Sequence, residues 1–300
     1  MADIAENSLV KLSDALVESV RLARPLVAAI AVAGHRMRSG TLWRKDVVVA
    51  SEQRFPDLKS ANVRLADGTV LAARVAGRDP GTNVVAFKLD GTPDPAWVRA
   101  AEPQPGALAL ALGADEGGVS VRLGAIRSVG PSWHSRAGGR IDRRITLDIG
   151  LARGEEGGPV LDPGGHLLGI STLGPRGRVL VIPVSTVEAV LEPLLSKGRV
   201  DRGWLGLALQ PVLVPEALQA EAGRDRGLMI MGVAKDGPAA QAGLHAGDIL
   251  VMVAGESVTS PAALATHLGP DSVGRQIELR VIRADKPLSV SVTVGTRPTT

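Results

Sequence analysis

The residues best suited to chemistry lie in the stretch GEEGGP, residues 154–159, where two adjacent glutamates stand inside a frame of glycines. Gly154, Gly157 and Gly158 suit a tight loop, because glycine accepts backbone angles that other residues avoid. A carboxylate presented by such a loop can exchange protons, pair with cations or ligate hard metal ions. The chain has no cysteine, which excludes disulfides, thiol catalysis and cysteine-bound zinc.

The composition indicates well-packed globular domains without a membrane segment. Three hundred residues suit two domains, and an apolar fraction of 45% with only two Phe and no Tyr requires cores of Val, Leu, Ile and Ala. The net charge of +3 does not argue for a nucleic-acid partner. No apolar run approaches the roughly 20 residues of a membrane helix, and no secretory signal is visible. We therefore expect a cytoplasmic protein, or a periplasmic one if an N-terminal segment was removed.

The elements that must position these residues are mostly short strands. Apolar residues recur at helical spacing over residues 8–23, which predicts an amphipathic helix that ends before Pro25. Period-two runs such as VAAIAVA, DVVVAS, NVVAFKLD, ALALALG and RVLVIPV then predict strands, and Asp67-Gly68 predicts a hairpin turn. Residues 185–198 predict a helix with Ser185 as its N-cap and a closing glycine.

Four longer stretches, taken in their order, resemble the HtrA/DegP family: LSDALVESVRLARPLVAAI, TLDIGLARGEEGGPVLDPGGHLLGIST, IPVSTVEAVLEPLLSKGRVDRGWLG and GPAAQAGLHAGDILVMVAGESVTSPAAL. The resemblance covers nearly the whole chain and implies a mainly β fold. It implies a trypsin-like double six-stranded β-barrel with an N-terminal helix, followed by an α+β PDZ domain. The implied organisation is an N-terminal helix at 1–24, a trypsin-like domain at 25–198, a hinge at 199–201 and a PDZ domain at 202–300.

The resemblance also identifies the positions of a Ser-His-Asp triad, and all three carry other residues here. The family's loop Gly-Asn-Ser-Gly-Gly-Pro aligns Glu156 with the serine, its Thr-Asn-Ala-His motif aligns Glu52 with the histidine, and its Asp-Pro-x-Thr-Asp motif aligns Asn83 with the aspartate. Loss of one triad member already costs several orders of magnitude in rate. We therefore predict that the chain is not an enzyme but a catalytically inactive pseudoprotease.

Three interpretations of the altered positions stay open. The first is neutral drift after loss of activity. The second is a divalent-metal site formed by Glu52, Asn83 and Glu156, because Ca²⁺, Mg²⁺ and Mn²⁺ take carboxylate and amide oxygens. The third is an unconventional hydrolase in which paired carboxylates act as acid and base. The prediction that we carry forward includes no cofactor.

The PDZ half carries a separate binding site in this resemblance. Its carboxylate-binding loop has the form aromatic-apolar-Gly-apolar, and a helix forms the opposite wall of the groove. The residues expected to bind the peptide are Arg202, Trp204, Leu205, Gly206, Leu207, Leu264, His267 and Leu268. The implied partners are polypeptide C-termini or unfolded segments. We expect a scaffold, adaptor or chaperone-like holdase that forms a homotrimer or joins an active relative in a hetero-oligomer.

Overall fold

The structure is a computed structural model that describes residues 8–32, 37–92, 94–115, 118–135, 137–152 and 154–296, without side-chain placement for residues 115, 221 and 222. The chain divides into two units. The first unit comprises Met1–Trp133 with Ile141–Arg199, and the second comprises His134–Arg140 with Val200–Thr300.

Six antiparallel strands form the first barrel, in the order β1-β2-β3-β6-β5-β4 with β1 paired to β4. The strands are β1 (Val27–Ala31), β2 (Arg38–Arg44), β3 (Val47–Ser51), β4 (Ser60–Leu65), β5 (Val70–Asp79) and β6 (Val84–Leu89). Val48, Ala50, Val63, Val85 and Phe87 fill the interior. Closure of the sheet leaves no edge strand unpaired.

The second barrel is also a closed sheet of six antiparallel strands, in the order β11-β14-β13-β12-β7-β8 with β8 paired to β11. Its strands are β7 (Leu108–Asp115), β8 (Gly118–Gly130), β11 (Arg144–Leu147), β12 (Pro159–Leu161), β13 (Leu167–Leu173) and β14 (Val179–Pro183). Between β8 and β11, a short sheet pairs β9 (Trp133–His134) with β10 (Arg140–Ile141). Ala111, Ile126, Ile145, Val160 and Val181 belong to the core.

Two helices flank the barrels. α1 (Ser8–Ala23) has the bounds that the sequence predicts. Its buried residues are Ser19 and Ala23, whereas Leu9 and Val17 of the apolar stripe are 74% and 65% exposed. α2 (Val184–Lys197) ends at Gly198, which takes a left-handed conformation, as the sequence predicts. The predicted N-cap is wrong, because the helix begins before Ser185 and follows Pro183, whose side chain makes no capping hydrogen bond.

The second unit contains a sheet with the strand order β16-β17-β18-β20-β21. The short strand β19 also pairs with β18. Its elements are β15 (Gly203–Trp204), β16 (Leu207–Leu213), α3 (Glu216–Ala222), β17 (Arg226–Val233), α4 (Pro238–Gln241), β18 (Ile249–Val253), β19 (Glu256–Ser257), α5 (Pro261–Thr266), β20 (Gln276–Arg283), β21 (Lys286–Thr293) and β22 (Gly295–Thr296). Leu250 and Leu279 belong to the main core, and Val251 and Ile282 belong to a second cluster that includes Leu218 of α3. The sheet therefore buries apolar side chains on both faces.

The predicted fold class is confirmed: the protein is mainly β, with two closed six-stranded barrels, an N-terminal helix and an α+β second unit. The hairpin at Asp67-Gly68 is present, and Gly68 has a φ of +92°. Among the strands of the two barrels, β2 and β12 were not predicted. Within the described part of the chain, no helix has both the length and the apolar character that a bilayer crossing requires.

Candidate cleft of the barrels and candidate peptide groove

The glycines of the loop at 154–158 are required by close backbone contacts. A Cβ atom on Gly158 would lie 1.9 Å from the Leu112 carbonyl oxygen, and one on Gly157 would lie 2.5 Å from the Ser39 carbonyl oxygen. Gly154 and Gly157 also have φ angles of +102° and +96°, in the region that favours glycine. The frame noticed in the sequence is thus a steric requirement of the loop, whatever side chain it carries at residue 156.

Glu156 lies inside the first unit with its carboxylate fully engaged. Its side chain is 3% exposed, and Arg54 Nε donates to Oε1 at 2.6 Å. Oε2 accepts from Gln53 Nε2 at 3.0 Å and from the Leu173 backbone N–H at 3.2 Å. Three donors, one of them cationic, supply what a buried carboxylate needs in place of water.

Asn83 is held against the turn that follows β3. Its backbone oxygen accepts from the Glu52 N–H at 3.1 Å, and its side-chain Oδ1 accepts from the Gln53 N–H at 2.7 Å. The residue has a φ of +60°, which asparagine tolerates better than most residues. Because Oδ1 is an acceptor here, Nδ2 is the donor that points to Ser51 and Thr172, at 3.1 and 2.8 Å.

A buried hydroxyl pair connects the two barrels. The Thr172 hydroxyl accepts from Asn83 Nδ2 at 2.8 Å and lies 3.0 Å from Gln53 Nε2, whose two protons are shared among Thr172, Glu156 Oε2 and the Leu173 carbonyl oxygen. Ser51 Oγ lies 2.9 Å from Thr172 Oγ1, and either hydroxyl can be the donor in this contact. The side chains of Ser51, Gln53, Asn83, Glu156 and Thr172 are thus joined in one hydrogen-bond network that includes residues of both barrels.

Glu155 points away from this network and pairs with Arg122. Arg122 Nε lies 3.2 and 3.1 Å from the two carboxylate oxygens, and the Ala152 N–H donates to Oε2 at 2.6 Å. Burial opposes ionisation of this carboxyl, but the hydrogen bonds from Arg122 and Ala152 outweigh it, so the pKa of Glu155 lies below its usual value.

Glu52 has an arginine partner of its own. Arg78 Nε donates to Glu52 Oε1 at 3.0 Å, and the same guanidinium donates to the carbonyl oxygens of Phe55 and Pro56 at 2.7 Å each. Glu52 and Glu156 are therefore neutralised separately and neither bridges to the other. Among the described residues, no group of three or more His, Cys, Asp or Glu side chains could hold a metal ion. This part of the structure gives no support to the metal-site alternative.

The loop at residues 204–207 connects β15 to β16 in the second unit. Gly206 has a φ of +80°, and the backbone oxygens of Leu205 and Gly206 accept from Ala239 and Ala234 at 2.9 and 2.7 Å. The N–H groups of Leu205 and Gly206 donate to no acceptor within the described residues. Leu205 is 2% exposed and belongs to the core, so its side chain supports the loop rather than lining an open pocket.

The remaining predicted groove residues lie on or just after α5. Leu264 is buried in the same core as Leu205, and Leu268 packs against that core while its carbonyl oxygen accepts from the Gly203 N–H at 3.0 Å. His267 lies at the end of α5 with Nε2 3.7 Å from Glu256 Oε2. The structure thus brings the loop and the predicted helix wall together, and Arg202 lies one residue before β15.

Several residues of the cleft had not been identified from the sequence. Gln53 and Arg54 directly follow Glu52, and the need of two buried acids for cations could have pointed to Arg54. Arg122 and Thr172 have no local signal, because they reach the loop from β8 and β13.

Profiles of two domain families match the chain. A trypsin-like peptidase domain matches residues 38–170, and a PDZ domain matches residues 205–294. A protein of Brucella suis biovar 1 named "Probable periplasmic serine endoprotease DegP-like" is 32% identical over 263 residues, which is 84% of this chain and 50% of that protein. A protein of the same name in Halomonas elongata is 32% identical over 247 residues, which is 79% of this chain and 51% of that protein. The chain spans about half the length of these curated relatives.

Solved structures agree with the fold. A serine endoprotease from Yersinia pestis has a TM-score of 0.77 at 26% identity, covering 94% of this chain and 98% of its own. The HtrA-type protease AlgW with a tripeptide has a TM-score of 0.76 at 25% identity, covering 95% of this chain and 98% of its own.

Two predictions are wrong in the light of these similarities. We predicted that the chain is not an enzyme, but the similar proteins are named serine endoproteases, and changed residue types at three motif positions do not outweigh that similarity. We also predicted a cytoplasmic protein, but the relatives are named periplasmic. The reason for the second error is that the absence of a visible signal in the given sequence carries no information about the compartment.

Proposed function

The chain is of the HtrA/DegP type, a trypsin-like peptidase domain followed by a PDZ domain, and from this premise we propose that it binds polypeptides by their C-termini at the PDZ loop and groove. The observation that carries the proposal is the loop at 205–206, whose two successive N–H groups have no acceptor within the described residues. A terminal carboxylate can accept from both, and backbone N–H groups are the usual donors for such an anion.

The surroundings of the loop suit an apolar chain end. Leu207 and Leu209 on β16 pack partly against the core that also contains Leu264 of α5, which leaves apolar surface between strand and helix. Polypeptide backbone added beside β16 would gain hydrogen bonds, while this surface would take alternate side chains. Arg202 adds positive charge close to the loop in sequence, and its contribution to carboxylate binding remains a prediction.

The direct test measures the dissociation constants of short peptides, each prepared once with a free C-terminal carboxylate and once as the C-terminal amide. We expect the amides to bind at least tenfold more weakly, because they lose the charge that the loop N–H groups stabilise. Leu207→Glu should weaken the free acids by placing a second anion beside the carboxylate, whereas Leu213→Glu makes the same change of charge at the far end of β16. Equal binding of acids and amides would refute the proposal.

Location, assembly and cellular role are finer parts of the proposal. The names of the relatives support a periplasmic location. The apolar stripe on α1, with Leu9 and Val17 mostly exposed, supports assembly into a homotrimer or a hetero-oligomer with a relative. Light scattering on wild type and Leu9→Glu/Val17→Glu would measure the assembly. A role as scaffold, adaptor or holdase would be measured by suppression of aggregation of a heat-denatured protein.

Endoproteolysis, the activity in the names of the relatives, is a second candidate function. It is supported by the match of residues 38–170 to the peptidase domain and by the barrel fold. Residue 156 in this chain supplies a carboxylate paired with Arg54 rather than a hydroxyl. Incubation of the purified chain with unfolded casein, with Glu156→Gln as the matched variant, measures this activity. Cleavage that does not exceed the buffer control would remove the candidate.

A further inference from the structure

The open edge of β16 can be read from the hydrogen bonds of its neighbour β17. The Ile230 N–H donates to the Asp248 carbonyl oxygen, and the Ile230 carbonyl oxygen accepts from the Gly247 N–H, each at 2.8 Å. Both backbone groups of Ile230 therefore point away from β16. Its partner in the register is Leu209, so the N–H and C=O of Leu209 point to the free edge of the sheet.

The same alternation places Pro211 on that edge. Directly opposed residues in an antiparallel pair alternate between exchanging two hydrogen bonds and exchanging none. Pro211 lies opposite Leu228, two positions from the Leu209–Ile230 pair, and has no N–H to exchange. The backbone groups that face an added strand therefore belong to Leu207, Leu209, Pro211 and Leu213. Because Pro211 has no N–H, the row of backbone donors along this edge is interrupted there.

We infer that Pro211 ends the peptide ladder, so that the groove reads only the last three residues of a bound chain; this inference rests on the function proposed above. If the terminal residue lies opposite Leu207, antiparallel pairing puts the third residue from the end opposite Leu209 and the fifth opposite Pro211. The third residue exchanges two hydrogen bonds with Leu209. The N–H of the fifth residue can donate to the Pro211 carbonyl oxygen, but its own carbonyl oxygen accepts no hydrogen bond because Pro211 has no N–H.

The helix wall of the groove ends at the same place. α5 has six residues, which corresponds to about 9 Å, or about three residues of an extended strand. Leu207 and Leu209 pack against the core beside it, whereas Pro211 is exposed and Leu213 is 69% exposed. Side chains upstream of the third residue of the peptide therefore meet solvent, and both the ladder and the wall limit recognition to the chain end.

The experiment measures affinity against peptide length. A set of free-acid tripeptides that differ in sequence is first tested for binding, and the tightest of them is N-acetylated and extended upstream with alanine to four, six and eight residues. Dissociation constants are measured for wild type, for Pro211→Val and for Pro287→Val, which removes a proline from β21 at the opposite edge of the sheet. Valine is chosen because it favours strands and provides the missing N–H.

For wild type and Pro287→Val we expect less than a twofold change between four and eight residues. For Pro211→Val we expect a gain of roughly threefold to tenfold, the value of one added hydrogen bond, with unchanged tripeptide affinity as the check on folding. Equal gains in wild type and Pro211→Val, or no gain in Pro211→Val, would overturn this inference alone. If free-acid peptides bind wild type only when they are longer than three residues, this inference fails and the proposed function stands, whereas if no free-acid peptide of any length binds, both fail.

Discussion

Gly157→Ala is the sharpest test of the idea that the glycine frame at 154–158 is a steric requirement. The added Cβ would lie 2.5 Å from the Ser39 carbonyl oxygen and 2.9 Å from the Ser51 nitrogen, and both are backbone atoms that cannot move aside cheaply. The positive φ costs about 1–2 kcal/mol for any residue with a Cβ, and overpacking adds about 1–3 kcal/mol. We expect the free energy of unfolding of the first unit to fall by about 2–5 kcal/mol.

Gly68→Ala is the matched control, because Gly68 and Gly157 have nearly the same φ angle but differ in the atoms that surround them. Gly68 has a φ of +92° against +96° for Gly157, and no atom lies within 4 Å of a Cβ placed there. Only the cost of the positive φ remains, so we expect a loss of about 1–2 kcal/mol. The difference between the two variants isolates the contact with the backbone of β2 and β3.

Urea unfolding followed by tryptophan fluorescence measures both variants. A Trp204→Phe background removes the tryptophan of the second unit, so that Trp43, Trp97 and Trp133 report on the first unit. Trp43 is 1% exposed, and therefore its emission changes strongly when the barrel opens. The reasoning is refuted if Gly157→Ala costs no more than Gly68→Ala at equal m-values.

Three further predictions concern single polar groups. Thr172→Val should lower the stability of the first unit by about 1–3 kcal/mol, because Gln53 and Asn83 lose their shared acceptor, and Thr172→Ser should retain most of it. Asp248→Asn should lower the stability of the second unit by about 2–4 kcal/mol, because it breaks the two-point pair with Arg283, as a thermal melt of wild type and variant would show. Burial opposes ionisation of Asp248, but the bonds from Arg283 and the backbone outweigh it and lower the pKa of this carboxyl. Its stabilisation is therefore complete above an unfolded pKa of about 3.9 and is lost as the pH falls through the lowered folded value, so acid titrations of wild type and Asp248→Asn should converge at low pH.

The ion-pair partners of Glu52 and Glu156 could not be predicted from the residues next to them in sequence. The sequence pointed to Glu52, Asn83 and Glu156 as one cleft, and Gln53 does contact both Asn83 and Glu156. The metal hypothesis treated the two glutamates as unneutralised charges. Burial of a carboxylate requires a compensating cation, but nothing in a local motif says whether that cation is an ion or an arginine from a distant strand. Here Arg54 and Arg78 fill that role.

The PDZ loop illustrates a similar division. Its aromatic-apolar-Gly-apolar pattern pointed to residues 204–207, which connect β15 to β16, yet Leu205, one of the residues expected to bind the peptide, is a core residue that is 2% exposed. The role inferred for Pro211 depends on which side of β16 faces β17. That direction is fixed by the hydrogen bonds of Ile230 to the segment before β18, and no pattern within β16 contains it.

The sequence by itself determined the elements whose signals are local: the helix at 8–23, most of the strands, the Asp67-Gly68 turn and the loop that only glycine can form. Tertiary structure alone decided the rest. β2 and β12 lack an alternating pattern and become strands because both neighbours offer hydrogen bonds, and the apolar stripe of α1 lies outward although its period is helical. Periodicity depends on residues a few positions apart, whereas strand pairing, ion-pair partners and the exposed face of a helix depend on residues brought together from distant parts of the chain.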